Sequence, residues 1–291
     1  MLVEKTNFSI VRMVRLLAVS RSGYYAWLGR SPSERAVRRE NIEQKVAWFH
    51  SDSDEVYGAP RILADLRADG EIISRKTVAT TMRRLGLVGI SPKRWRTTTV
   101  SQAEDAYPVD AVHRKWDTGA LNQVWVGDIT YLRTWEGWLY LATVIDAHSR
   151  RVIGWAIADH MRTDLIQDAL IMAMALRGER PEQVIFHSDR GTQYASAQIT
   201  AFAKAHRITR SMGYTGVCWD NVMAESFFAT LKTEFYHRHV WPSKNKASRE
   251  IGAWIEDRYN RRRRHTSLGQ VSPVDFELQY SNQNAVFAKA A

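Results

Sequence analysis

"VIFHSDRGTQY", residues 184–194, sets a short apolar strand directly against an aspartate, an arginine and a glycine. Asp and Gly after a strand are ordinary turn residues. In open α/β sheets, however, the carboxyl end of a buried strand is also where ligand groups sit. Asp189 therefore has two readings, and the sequence on either side separates them.

Upstream, VWVGDITYLR from Val124 alternates with a period of two. Val124, Val126, Asp128 and Thr130 fall on one face, and Trp125 and Ile129 on the other. WLYLATVIDAHSRRVIGWAIADH adds two strands joined at Asp146–Ala147–His148–Ser149. TDLIQDALIMAMALRG then reads as an amphipathic helix, followed by the strand before Asp189. Downstream the pattern predicts a helix over 195–206, a strand near Ile208–Ser211 and a long helix from Asp220. Three strands, helix, strand, helix, strand, helix implies a mixed sheet with helices on its faces, an α/β core.

Within that core three carboxylates stand out. Asp128 lies inside a strand among Val, Ile and Trp, where an unpaired charge is costly. Asp189 ends a strand, and Glu225 lies early in DNVMAESFFATLKTEFYHRH, sharing a helical face with Asn221, Phe228 and Lys232. Three acids aimed at one point repel unless a cation joins them. Oxygen-only ligation suits Mg²⁺ or Mn²⁺ rather than zinc. His187 reads as a strand-end packing or hydrogen-bonding residue rather than a ligand, and Asp146 as structural. The run Arg261–Arg264 reads equally as a solvated helix end or a phosphate contact.

The chain has 291 residues and a net charge of +10, distributed unevenly. Residues 1–100 hold 18 Lys and Arg against 10 Asp and Glu, or +8; the remainder holds 23 against 21, or +2. A polyanion is the expected partner of the first third. There, apolar positions Ile10, Val11, Val14 and Leu17 give a helix, and Ser20 caps a second one that begins with Arg21. The outline repeats: Pro60 opens one helix and Ser74 caps another beginning Arg75–Lys76. Two helix-turn-helix outlines in series place Arg21, Arg75 and Lys76 where recognition helices meet DNA. PSERAVRRENIEQKVAWFHSD reads as a connecting helix between them. The divisions expected are helical elements at 1–50 and 51–90, a basic linker at 91–120, the core at 121–280 and a tail at 281–291. No apolar run approaches the ~18 residues of a membrane span. The start reads as an amphipathic helix rather than a signal peptide, and the single Cys218 leaves no internal disulfide. A cytoplasmic, nucleoid-associated protein is expected.

The segments VWVGDITYL, GWLYLATVIDAHSRRVIGW, VIFHSDRGTQYAS, CWDNVMAESFFATLKTE and IEDRYNRRRRHTSLGQVSPVDFE closely resemble the second-frame catalytic product of orfA/orfB-type insertion-sequence transposases. YGAPRI and SRKTVATTMRRLGL resemble that family's small DNA-binding elements. The family belongs to the integrase-like superfamily with an RNase H-like core. Thirty-five residues, 190 to 224, separate Asp189 from Glu225, the interval of the family's acidic triad. The resemblance implies that Asp128, Asp189 and Glu225 bind metal, a pair of Mg²⁺ ions replaceable by Mn²⁺, and that Lys232 is the family's basic DNA contact. Asn221 and His187 are expected to support the site. The sequence departs from the family at Ser211–Met212–Gly213 and Gly216–Val217–Cys218, leaving the triad intact. The implied activity is cleavage at terminal inverted repeats and 3′-OH strand transfer, by a homo-oligomer on DNA, with an upstream-frame product as a possible fusion partner. A nuclease of the same core and a non-catalytic DNA-binding repressor are the alternatives.

Overall fold

The computed structural model describes residues 1–91, 108, 110–112, 118–178, 183–189, 191–212 and 222–290. The central sheet contains β1 (Val124–Thr134), β2 (Gly137–Asp146), β3 (Val152–Ala158), β4 (Val184–Ser188) and β5 (Ile208–Met212), ordered β3-β2-β1-β4-β5. The first three strands form an antiparallel meander, and β4 and β5 join β1 in parallel. The two parallel connections need helical crossovers. These are α6 (Thr163–Arg177) and α7 (Ala197–Ala205). The mixed sheet expected from the strand periods is present.

Each face of the sheet has its own core. Trp125, Ile153 and Phe186 pack against Leu165, Ile166 and Leu170 of α6 and Ile199 of α7. On the other face, Leu132, Leu141 and Ile145 meet Phe227, Phe228 and Leu231 of α8 (Val222–Glu234). Ile251 of α9 (Lys244–Ala253) and Ile255 of the π-helical segment Trp254–Arg262 extend that layer. Close approach fixes Gly127 on β1, because a Cβ there would overlap the Phe186 ring. Gly127 thus lets β4 press against β1 immediately before Asp128. The terminal helix α10 (Pro273–Ala290) is tied down by the buried Glu277, which bonds Arg151 at 2.6 Å and Ser149 at 2.6 Å.

At the N-terminus, α1 (Ile10–Leu16) and α2 (Arg21–Leu28) form a small pair, and Ser20 caps α2 through the Gly23 N–H at 2.9 Å. The next unit comprises α3 (Glu34–Asp52), α4 (Ala59–Ala68) and α5 (Arg75–Arg84). The helix expected merely to connect two motifs has a different role. Ile42 and Val46 of α3 share one core with Ile62 and Leu66 of α4 and Val78 of α5. A two-helix outline exposes an apolar face that α3 covers, so the three helices fold together.

Candidate active site

Asp128, Asp189 and Glu225 come from three elements that the sheet brings to one end. β1 and β4 run parallel, with Gly127 paired to Ser188, so the carboxyl end of β4 lies beside the middle of β1. Asp128 follows that pair on β1 and Asp189 follows it on β4. Met223 and Ala224 of α8 pack on Val124 and Val126, setting the first turns of α8 over β1. Glu225 is therefore the next helical residue beside that contact.

Electrostatics links the carboxylates. Burial pushes the half-buried Asp128 carboxyl up to about 8, and the charges of Asp189 and, more weakly, Glu225 push the same way. The Ile129 N–H, bonded to Asp128 Oδ1 at 2.8 Å, and Lys232 oppose the rise. Asp189 is also raised by its protein surroundings, although its surface is open to solvent. The Gly191 N–H at 3.0 Å and His187 act against that rise, and solvent weakens it further. Glu225, half-buried, is raised by desolvation. Among the described residues no three His, Cys, Asp or Glu side chains close to ligating distance of a common point. Asp128 feels the charges of the other two acids, but the three do not form a closed cage.

The neighbours fall into distinct roles. Lys232 is half-buried on α8; desolvation lowers its pKa while Asp128 raises it. His187 is buried, with Nδ1 2.9 Å from the Ser211 hydroxyl, inside the β4–β5 layer rather than facing a ligand. Asp146 accepts the N–H groups of Asn122 at 2.8 Å and Ser149 at 3.0 Å, holding the β2–β3 turn. Asn221 lies outside the described residues. Arg21, Arg75 and Lys76 are exposed in the first turns of α2 and α5.

Two features escaped the sequence reading. Tyr194, the last residue of the opening segment, is buried against Phe186, and its hydroxyl is raised well above the usual range by burial and by Asp128 and Asp189. It lies within electrostatic reach of both catalytic candidates. The arginine run is the second. Arg262 reaches Asp52 at 2.8 Å, Arg264 reaches Asp65 at 2.5 Å, and Arg263 binds Glu234 of α8 at 2.6 and 2.7 Å. Arg61 of α4 approaches the same Glu234 at 3.1 Å. Three of the four arginines thus hold the α3–α5 unit and α8 together, where a solvated end or a phosphate contact was expected. The acidic partners lie some 30 to 200 residues away, and no local spacing signals such pairs.

Comparison with known proteins agrees with this fold. The integrase core domain family matches residues 120–218, and a second integrase core domain family matches residues 206–273. An HTH-like domain family matches residues 37–95, which includes most of α3. The chain is 42% identical over 278 residues to the transposase InsF for insertion sequence IS3A of Escherichia coli strain K12, covering 94% of this chain and 96% of that protein. It is 35% identical over 274 residues to an uncharacterized 31 kDa protein of insertion element IS600 from Shigella sonnei, covering 94% and 100%. The solved HTLV-2 integrase catalytic core domain in complex with magnesium, in its trimeric form, aligns with a TM-score of 0.42 at 16% identity, covering 53% of this chain and 95% of that one. An integrase core joined to an HTH-like unit defines a polynucleotidyl transferase of the transposase and integrase class. Within that class, the chain belongs to the IS3 family of insertion-sequence transposases.

Proposed function

We propose that Asp128, Asp189 and Glu225 are the catalytic carboxylates of a metal-dependent DNA cleavage and strand-transfer reaction. The observation that carries this reading is that β1, β4 and α8 deliver three acids to one region, where the charges of Asp189 and Glu225 add to the rise at Asp128. An all-oxygen donor set of this charge fits hard divalent cations. Two Mg²⁺ ions, with Mn²⁺ as substitute, held by these carboxylates would activate the attacking oxygen and neutralise the leaving one. Lys232 supplies a point charge for the phosphate beside Asp128. Water is the nucleophile when a terminal phosphodiester is cut and a 3′-OH is freed. That 3′-OH attacks a second phosphodiester when strands are joined, so no external energy source is needed.

The partner in this reading is double-stranded DNA, at the element's terminal inverted repeats and at the target. The α3–α5 unit reads the ends, with Arg75 and Lys76 at the start of α5, and Arg21 adds a contact from α2. Holding two ends calls for a homo-oligomer on DNA, and a fusion to an upstream-frame product would add a further multimerising part. No helix among the described residues is long and apolar enough to cross a membrane, in keeping with a cytoplasmic site of action. The test is a strand-transfer assay with Mn²⁺ and labelled terminal-repeat DNA. Joined products support the reading, nicking alone identifies a nuclease, and a gel shift without either identifies a DNA-binding repressor.

The raised Asp128 also predicts a pH signature. Its folded value, about 8, lies above the ordinary 3.8, so the native protein binds more protons than the unfolded chain between those values. Its contribution to stability is therefore greatest below the lower value and is lost as pH rises toward 8. Without added metal, Asp128→Asn should flatten that loss and raise the melting temperature at pH 8. Magnesium requires the ionised carboxylate, so the stabilisation it gives should grow between pH 6 and 8.5. Melting curves with magnesium and with EDTA across that range measure both effects; a magnesium effect independent of pH would remove Asp128 from the ligand set.

A further inference from the structure

The β1–β2 hairpin runs well past the rest of the sheet. β4 pairs with β1 only over Val124–Gly127, and β3 pairs with β2 only from Tyr140 onward. Residues 131–139 therefore project as a two-stranded ribbon, turning after Thr134. One face is covered, with Leu132 and Leu139 packing on Phe228, Leu231 and Trp241. On the other face the first core extends to Ile129 and Tyr140 and no further.

That bare face is aromatic. Tyr131 is 61% exposed, Trp138 42% and Trp135, at the turn, 76%. Cross-strand pairing of Arg133 with Trp138 places them on the same face as Tyr131. The Tyr131 and Trp138 rings meet edge to face at 5.3 Å. Cations flank both rings. Arg133 lies 5.0 Å from the centre of the Trp138 ring, and Lys232 Nζ lies 5.3 Å from that of Tyr131. The order Lys232, Tyr131, Trp138, Arg133 makes a continuous row whose Lys232 end is electrostatically coupled to Asp128. The one acid at the tip, Glu136, is engaged by the Lys244 N–H at 2.7 Å.

Exposed rings contribute little to the fold, since their area stays in water. Rings interleaved with cations do suit one ligand well: unpaired nucleotides, whose bases stack on any aromatic face while their phosphates meet the cations. A duplex offers phosphates but keeps its base faces stacked internally. A protein surface would match the rings but not the two cations in a chain already carrying +10. We propose that the Tyr131–Trp138 face of the hairpin is a stacking platform for unpaired DNA nucleotides, on the opposite face of β1 from Asp128 and linked to it by Lys232 at the strand edge. The proposal rests on the DNA-processing reading of the site and adds a single-strand subsite to it.

The test is binding by the full-length protein, measured in EDTA so that no chemistry intervenes. Labelled terminal-repeat duplexes, blunt or carrying a four-nucleotide single-strand overhang, are compared by fluorescence anisotropy. The native protein is expected to prefer the overhang by about tenfold, the scale of stacking one or two bases. Tyr131→Ala and Trp138→Ala should each remove most of that preference with the blunt-duplex affinity and melting temperature unchanged, while Tyr131→Phe retains it. Preference that survives both alanine variants would overturn the platform, as would an equal loss of blunt-duplex affinity, which marks an ordinary duplex contact. A change in oligomeric state on Trp138→Ala would overturn it in favour of contact between copies of the chain. If the native protein bound neither DNA, the functional reading itself would fail together with the platform.

Discussion

Glu225→Gln should abolish both strand cutting and strand joining, by at least about a thousandfold, with DNA binding within about twofold of native. The substitution keeps the shape of a half-buried helical side chain and removes the charge that a divalent cation needs. The fold should survive, because α8 is packed through the apolar Phe227, Phe228 and Leu231, which the substitution leaves in place. Asp128→Asn and Asp189→Asn should each be as inactive, and combining them should cost no more than either alone, since the first loss already disables a site that works as a unit. A gel-based joining assay beside an anisotropy titration checks both halves. Joining by Glu225→Gln at near-native rate would exclude it from the catalytic set.

The largest expected effect on stability lies elsewhere on the same helix. Glu234 is buried, and burial alone would raise its carboxyl. The bonds and charge of Arg263, helped by Arg61, outweigh that and hold it below the usual glutamate value. Glu234→Gln would leave the buried Arg263 without a counter-charge, and truncating one partner of such a pair costs about 3–5 kcal/mol. At ~2–4 °C per kcal/mol in a protein of this size, the melting temperature should fall by roughly 10 °C. Replacing all three charges together, as Arg61→Met, Glu234→Leu and Arg263→Met, should recover most of the loss, because an apolar cluster needs no counter-charge. Thermal denaturation of the single and triple variants decides it; a single variant as stable as the native protein would show that Arg263 finds another partner.

How much of this was legible in the sequence depended on the range of the interaction. The strands and helices of the core were readable because each is written in a local period, and Asp128 was conspicuous as a charge inside an apolar strand. Serine caps at Ser20 and Ser74 could be read because a cap involves neighbours three residues apart. The helix over 34–52 was readable as a helix but not as part of a core, because Ile42 and Val46 find their partners only after α4 and α5 fold back. The arginine run was misleading for the same reason. Its charge left a solvated helix end and a phosphate contact equally open, yet its partners, Asp52, Asp65 and Glu234, come from distant segments that the sequence does not pair. Nothing local sets Tyr131 and Trp138 apart from other strand aromatics; the unequal lengths of β1, β2 and their neighbours leave them bare.

The helix α8 begins near Glu225 and ends at Glu234, nine residues or ~13 Å later. For anyone wishing to redirect such an enzyme to a new DNA address, that end of the helix is a seam with specified stitching. Swapping in a foreign DNA-reading unit at a convenient loop would bring its bases of choice and lose Asp52, Arg61 and Asp65. The result would be unmatched arginines on the core and a loosened anchor under the helix that carries Glu225. A workable transplant keeps those three side chains, together with Tyr57, whose hydroxyl accepts the Arg264 N–H at 2.8 Å. It then varies only the outward residues around Arg75 and Lys76. If the proposed roles of Arg75, Lys76 and the three acids hold, address and chemistry would be separable in this protein at the level of side chains, not at the level of modules.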